Sequence, residues 1–428
     1  MRGDEADSRL PWRIFWTAFV VRVLYITLAH TYRFRLTDEH FQFGWEAGRI
    51  ARALATGHGY ADPFGNSFLG HTGATAWLPP LYPLLMAGVF KVFGVYTAAS
   101  AWVLLVINSA FSAATVLGIW EIAVRCYSRR NAVWSAWLWA LYPAAMQYAV
   151  RWLWEMTLTT AVFTWAIVLA LRLRDVDVHA SYRAETRSRR TVLWAVFGLM
   201  WGAIALLNST LLLFLPVCGL WILMGTWGRP RALRNAVLGG LVFMVTVTPW
   251  EMRNYNVFHK FIPLRGNLGV EAYLGNGPGS NGFLMAYDHP NQSSNQFRLY
   301  AKLGEVRYAT MRGELATAYI HAHPAHFVAD CVKRVYFFWV GVPSVSGWMV
   351  ELPRLLSFGF ISLAGLMGLA LALRRRAPAA GLFGWAFLLL PVSYYLVTAG
   401  ARFRHPLEPL ITVLGVYLFQ SASRRRAR

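Results

Sequence analysis

The run WRIFWTAFVVRVLYITLA, Trp12–Ala29, and the stretch Thr37-Asp38-Glu39-His40-Phe41 that follows it decide what kind of chain this is. The apolar run is longer than a signal-peptide core and no small-residue cleavage pattern comes after it, so it reads as a retained membrane helix. Two adjacent carboxylates at the lip of that helix gain nothing structurally, because each charge drawn toward hydrocarbon costs a few kcal/mol. Asp38 and Glu39 are therefore the first candidates for chemistry.

Working outward, a chain of 428 residues that is 57% hydrophobic and 14% charged is too apolar for an ordinary soluble domain. The net charge of +21 comes mostly from Arg, in short clusters between apolar runs. That is the positive-inside pattern of a polytopic membrane protein rather than a nucleic-acid stripe, and no nucleic-acid partner is expected. Cys126, Cys218 and Cys331 are too widely spaced to suggest a disulfide framework or a metal site.

With about twenty apolar residues per span, helices are expected near 12–31, 100–124, 132–150, 156–173, 192–208, 209–226, 236–250, 353–373, 380–398 and 406–420. The segment from Pro79 to Phe93 is apolar but opens on three prolines and is interrupted by Lys91, and it is read as a non-crossing helix. One side then collects Arg125, Arg129 and Arg130, the run from Arg172 to Arg190, Arg229, Arg231 and Arg234, Arg374 to Arg376, and the tail from Arg424. Positive-inside makes that side cytoplasmic, with both termini, and turns Asp38 and Glu39 outward. The fold class is all-α, about ten transmembrane helices with juxtamembrane helices in the first outer loop. Three parts are expected: 1–250, a transmembrane module whose first outer loop is 32–99; 251–352, an outer segment; and 353–428, the last helices. In the outer segment, Arg265 to Gly282 reads as irregular loop. Asn295 to Ala322 reads as helix until Pro324 stops it, and Phe327 to Val340 reads as lying along the interface.

Several motifs tempt and fail. Gly277 to Gly282 fits GxGxxG but follows no strand. Asp175-Val176-Asp177 lies in a basic cytoplasmic loop, away from Asp38, and His321, His323 and His326 do not share one helical face. Arg22, in the middle of the first helix, should face the bundle interior and be paired there. More coherent is the outward-facing set: Asp38 and Glu39, Arg151 and Glu155 near the start of the fourth helix, Arg253 after the seventh, and Arg402, Arg404 and His405 before the tenth. Arg suits a phosphate because its planar fork donates two hydrogen bonds at once and keeps its charge. The alternative for any one of them is an interfacial ion pair or a snorkelling anchor.

Four passages resemble the membrane glycosyltransferases of the C-type fold, the glycosyltransferase family 39 and its relatives, which include protein O-mannosyltransferases and the lipid A aminoarabinose transferase. They are Asp38-Glu39 followed by Arg49-Ile50-Ala51-Arg52-Ala53-Leu54-Ala55-Thr56-Gly57-His58-Gly59-Tyr60; Pro79-Pro80-Leu81-Tyr82-Pro83; Thr248-Pro249-Trp250-Glu251-Met252-Arg253-Asn254-Tyr255; and Ala401-Arg402-Phe403-Arg404-His405-Pro406. Their order and the apolar segments between them also match. The resemblance implies that Asp38, with Glu39 beside it, acts as general base on an acceptor hydroxyl. It implies that Glu155 is a second acid of the site and that the anomeric centre is inverted. The family is divided on metal use; a divalent metal bridging Asp38, Glu155 and the phosphate is the cofactor it leaves open. Where the aminoarabinose transferases carry a Glu-Lys pair before the proline, this chain has Trp77-Leu78-Pro79.

Sidedness argues for the donor independently. Nucleotide sugars are made in the cytoplasm, and their charge forbids passive crossing of the bilayer. An outward-facing hexosyl- or pentosyltransferase therefore needs a polyprenyl-phosphate sugar, with Arg402, Arg404, Arg253 and Arg151 as candidates for its phosphate and a protein, lipid or glycan as acceptor. The competing reading is a transporter or flippase of a lipid-linked or anionic solute. Such proteins commonly show paired halves with interrupted helices near the midplane, and no such repeat is visible.

Overall fold

The computed structural model describes residues 9–34, 43–65, 70–179, 187–342, 349, 352–353 and 355–426. Asp38 and Glu39 lie outside these residues, as do part of the Arg172 to Arg190 run and the end of the tail. Among the described residues the chain is helical throughout, with a single antiparallel bridge, Ala61 to Ala74, and no strand.

In chain order the helices are α1 Leu10–Leu28, α2 Glu46–Ala55, α3 Leu81–Phe93, α4 Ala98–Cys126, α5 Arg129–Leu141, α6 Pro143–Val150, α7 Met156–Leu173, α8 Arg187–Ala205, α9 Leu215–Thr226 and α10 Ala232–Phe258. There follow α11 Leu268–Asn276, α12 Ser294–Leu303, α13 Glu305–Ala322, α14 Pro324–Val340, α15 Ile361–Arg374, α16 Ala380–Leu389, α17 Val392–Leu396 and α18 Glu408–Arg426. Each of the ten apolar segments of the sequence coincides with helix. Five helical stretches are long and apolar enough to cross a membrane: Ala98–Cys126, Met156–Leu173, Ser209–Thr226, Ala232–Phe258 and Leu355–Arg374. The others fall short for visible reasons. Proline divides α5 from α6 at Pro143 and α16 from α17 at Pro391, since it lacks the N–H that would continue the ladder. The first helix carries Arg13 and Arg22. A 3-10 turn over Ala401–Leu407 precedes α18. The chain is an integral membrane protein with a helical bundle, in which five helices among the described residues are long and apolar enough to span.

Small residues let the bundle close. A Cβ on Gly198 of α8 would collide with the carbonyl of Gly239 on α10, and one on Gly368 of α15 with the carbonyl of Leu414 on α18. Where hydrocarbon surrounds the helices, packing of this kind replaces the hydrophobic drive between them. Between Phe93 and Leu81, α3 spans 13 residues, about 20 Å of helix against roughly 30 Å of hydrocarbon.

The outer segment is more ordered than its glycine content suggests. Residues 268–276, expected as loop, form α11, because Val270 and Leu274 are fully buried and Gly269 lets the helix approach the backbone of α13 at Ala309. The helix expected over 295–322 is present but splits at Gly304, whose φ of +75° ends one helix and begins the next. Helix α10 runs through position 250, where the first boundary of the three-part reading stood.

Arg22 is fully buried and paired as expected, but with backbone. It donates to the carbonyls of Trp139 at 3.2 Å and Ala140 at 2.9 Å, to its own helix at Ala18 and to Ser112 Oγ. These are the last carbonyls of α5, left without partners by the break at Pro143. One guanidinium thus caps a broken helix inside the bundle. Arg22→Leu should therefore destabilise the protein by on the order of 3 kcal/mol, read as a lowered melting temperature in detergent, with Arg22→Lys recovering part of the loss.

Candidate active site

Two backbone segments far apart in sequence meet to make the site. Gly44, entering α2, has φ +83°, and a Cβ there would collide with the carbonyl of Leu153. Only glycine permits that approach, which lays the part of the first outer loop just before α2 against the turn joining α6 to α7. The turn is fixed in its own right: Trp152 and Trp154 stack with ring centroids 4.6 Å apart, and Asn108 of α4 donates to the Trp152 carbonyl at 3.2 Å. Glu155 stands at its end, as the N-cap residue of α7.

Around Glu155 the chain collects opposite charge. Arg402 and Arg265 both lie within electrostatic reach of its carboxylate, and so does the acid Glu46 of α2. Arg402 reaches Glu46 as well. Its guanidinium lies over the rings of Trp154 at 4.4 Å and Phe403 at 4.6 Å, and among the described residues it donates no hydrogen bond. Among the described residues Glu155 accepts one from its own backbone N–H alone. Both groups are half-buried, and they lie within electrostatic reach of each other without forming an ion pair among the described residues.

The other arginines of the outward-facing set do not join them. Arg404 is fully buried and donates to the carbonyls of Trp339 and Phe358, to Ser362 Oγ and to Glu408 at 3.2 Å; His405 holds the same carboxylate at 2.6 Å. Those bonds join the start of α18 to α14 and to the turn that leads into α15. Arg253 donates to the carbonyls of Thr75 at 2.6 Å and Tyr60 at 2.8 Å and packs on Tyr60 and Trp250, fastening the first outer loop to α10. Arg151 is an exposed C-cap residue of α6. Asp175 of the DxD string is held by Arg190 and Arg229, each at 2.6 Å.

Glu305 anchors the first loop from its other side. Its buried carboxylate accepts hydrogen bonds from the Ala76 N–H at 2.7 Å, the Tyr300 hydroxyl at 2.8 Å and Thr75 Oγ1, and burial pushes its carboxyl up against those bonds.

Glu46, Gly44, Arg265, Asn291 and His289 were not singled out in the sequence. Asn291, in the loop before α12, bridges α2: its side-chain amide donates to Glu46 Oε1 and its oxygen accepts from Arg49 Nη1. His289 is buried, and its Nε2 stands 3.7 Å from Glu46 Oε1. Its Nδ1 accepts from the Asn291 N–H at 3.1 Å, which leaves the proton of the neutral ring on Nε2. Burial pushes His289 down to about 4 and holds the Glu46 carboxyl above its ordinary range. The one sequence signal was Glu46 and Arg49 at helical spacing; nothing in the sequence links either to Asn291. Among the described residues no three His, Cys, Asp or Glu side chains stand close enough to hold a metal ion, and no step is routed through one below.

No family model and no curated protein matches the sequence. Solved structures do. The Archaeoglobus fulgidus oligosaccharyltransferase in its apo form superposes with a TM-score of 0.54 at 13% identity, covering 97% of this chain and 51% of that one. The same enzyme tethered to an acceptor peptide containing the NVT sequon gives 0.52 at 14% identity, over 97% and 50%. ArnT from Cupriavidus metallidurans bound to undecaprenyl phosphate gives 0.45 at 14% identity, over 96% and 77%. The chain thus spans about half the length of the oligosaccharyltransferase and shares its fold. The resemblance to the C-type membrane glycosyltransferases holds at the level of architecture.

Two predictions follow from this geometry. Gly44→Ala forces a side chain into the Leu153 carbonyl, and should cost more than 2 kcal/mol by strain at positive φ plus displacement of the loop, measured as thermal stability in detergent. His289 refuses a proton until about pH 4, whereas an unfolded histidine takes one near 6.5. Stability should therefore fall as pH drops from 6.5 toward 4, by on the order of 3 kcal/mol from this group. His289→Asn should remove that share of the slope.

Proposed function

We propose that this chain is a membrane glycosyltransferase that moves a sugar from a polyprenyl-phosphate donor to an acceptor hydroxyl at the extracytoplasmic face. The reaction is an in-line displacement with inversion. The acceptor oxygen attacks the anomeric carbon, Asp38 takes the acceptor proton, and the bond from that carbon to the phosphate oxygen breaks as polyprenyl phosphate departs.

One observation carries the reading: the guanidinium of Arg402 lies over Trp154 with no hydrogen-bond partner among the described residues, within electrostatic reach of the Glu155 carboxylate. A cation with uncommitted donors at the edge of an apolar bundle suits a phosphate that gains charge as its sugar leaves. Arg404, fully buried with both terminal nitrogens bonded to protein oxygens, and Arg253, whose terminal nitrogens fasten the Tyr60 and Thr75 carbonyls, are set aside as phosphate ligands. Further support comes from Gly44, six residues after Asp38 in the same loop, which packs against the turn bearing Glu155. The basic clusters between spans favour an outward-facing site, and the shared fold belongs to an enzyme named for transfer of an oligosaccharide.

Release of sugar from a synthetic polyprenyl-phosphate donor in detergent, where transport cannot be scored, tests the proposal. A positioned base contributes about 10² to 10⁴ in rate, so Asp38→Asn should lose at least two orders of magnitude in kcat while remaining folded. Arg402→Ala should raise the KM for donor about tenfold or more, in line with 1.5 to 3 kcal/mol for a charged hydrogen bond. Activity of Asp38→Asn within about threefold of the unaltered protein, against that expectation, removes the aspartate from the mechanism.

A further inference from the structure

We propose that Glu46, Asn291 and His289 form the subsite that holds the donor's sugar, beside the phosphate position at Arg402. The inference rests on the transferase reading above and names the residues that would read the sugar.

The chemistry of the group fits a polyhydroxyl ligand. A hydroxyl both donates and accepts, and its recognition needs both kinds of partner at fixed positions. Glu46 supplies carboxylate acceptors, Asn291 an amide, and the Nε2–H of His289 a donor 3.7 Å from Glu46 Oε1. None of the three suits the phosphate itself. A carboxylate repels it, and His289, held near 4 by burial, carries no charge at neutral pH.

The group is also rigid. Asn291 is tied to Glu46 and Arg49 at once, across more than 200 residues of sequence. Edge contacts from Phe64 at 5.5 Å and Trp77 at 5.8 Å hold the His289 ring. Rigid partners lose little freedom on binding and discriminate one hydroxyl pattern from another.

Position completes the case. In the donor the sugar is bonded directly to the phosphate oxygen, so its subsite must adjoin the phosphate. Arg402 lies within electrostatic reach of both Glu46 and Glu155. A phosphate on Arg402 therefore presents its sugar to one of these carboxylates. Glu155 is unsupported by any other side chain among the described residues, whereas Glu46 is braced in place.

A sugar whose hydroxyls are bound in a buried site is rejected by orders of magnitude when they are removed or misplaced, because the protein's own polar groups are then left unpaired. The test compares two ligands on the full-length protein in detergent: a short-chain prenyl phosphate, and the same prenyl phosphate bearing each of a panel of gluco-, manno- and galacto-hexoses and a pentose. The expected result is that at least one sugar tightens binding tenfold or more over the bare prenyl phosphate. Glu46→Gln and Asn291→Ala should abolish that gain while binding the bare prenyl phosphate within twofold of the unaltered protein. Arg402→Ala should weaken both ligands. A merely structural role for Glu46 and Asn291 would weaken both ligands equally, and that result overturns the subsite. So does a panel in which no sugar adds affinity. If Asn291→Ala fails to fold, Glu46→Gln, which keeps the side chain's shape, carries the comparison. Should Arg402→Ala leave bare prenyl phosphate binding unchanged, the phosphate reading fails by itself. The subsite is still judged by the difference between the two ligands in Glu46→Gln.

Discussion

A guanidinium inside an apolar bundle must find acceptors for its donors, and how each arginine of this chain does so decides what it is for. Desolvating the group costs several kcal/mol that only hydrogen bonds or a counter-charge offset. Arg22 meets the requirement with the carbonyls at a broken helix end. Arg334 meets it with Asn276 and the carbonyls of Gly275, Gly282, Tyr395 and Leu396, drawing the outer segment onto the last part of the bundle. Arg404 uses Glu408 and three oxygens of neighbouring segments. Against that background Arg402 stands apart: it lies over two aromatic rings. Among the described residues its donors have no hydrogen-bond partner.

The place where that happens is put together from segments that have no other reason to meet. The first outer loop is held at Thr75 and Ala76 by Glu305, at Tyr60 and Thr75 by Arg253 and at α2 by Asn291, and it packs at Gly44 against the Leu153 carbonyl. Each anchor comes from a different part of the chain. A loop fixed at four points can present a catalytic group with the precision that proximity effects demand, where a displacement of about 1 Å costs orders of magnitude in rate. The outer segment therefore serves as the frame that sets the first loop, and its helices α11 and α13 pack closely because Gly269 faces the backbone at Ala309.

Much of the architecture was legible in the sequence because bilayer thickness imposes a length on apolar runs that composition reveals directly. The helix positions follow from it, and so does the burial of Arg22. What escaped has a common cause. The helix over 268–276 was hidden by its glycines, which serve close packing here rather than turns. Arg404 looked like Arg402 because two residues of identical chemistry two positions apart in a short helical turn differ only in the side of the backbone they face. One points into the bundle and the other onto Trp154. Glu46, His289 and Asn291 were invisible because their meaning lies in a pairing across more than 200 residues, for which a single sequence carries no periodicity.

The central claim is that an open cation at the outer edge of the bundle awaits the phosphate of a lipid-borne sugar. A structure of the full chain with a non-hydrolysable prenyl-phosphate analogue tests it most directly. The account predicts phosphate oxygens within hydrogen-bond distance of the Arg402 guanidinium, about 2.7–2.9 Å, with Arg404 and Arg253 keeping their present partners. Phosphate bound instead at Arg190 and Arg229, or Arg402 left without it when the analogue is in place, would contradict it.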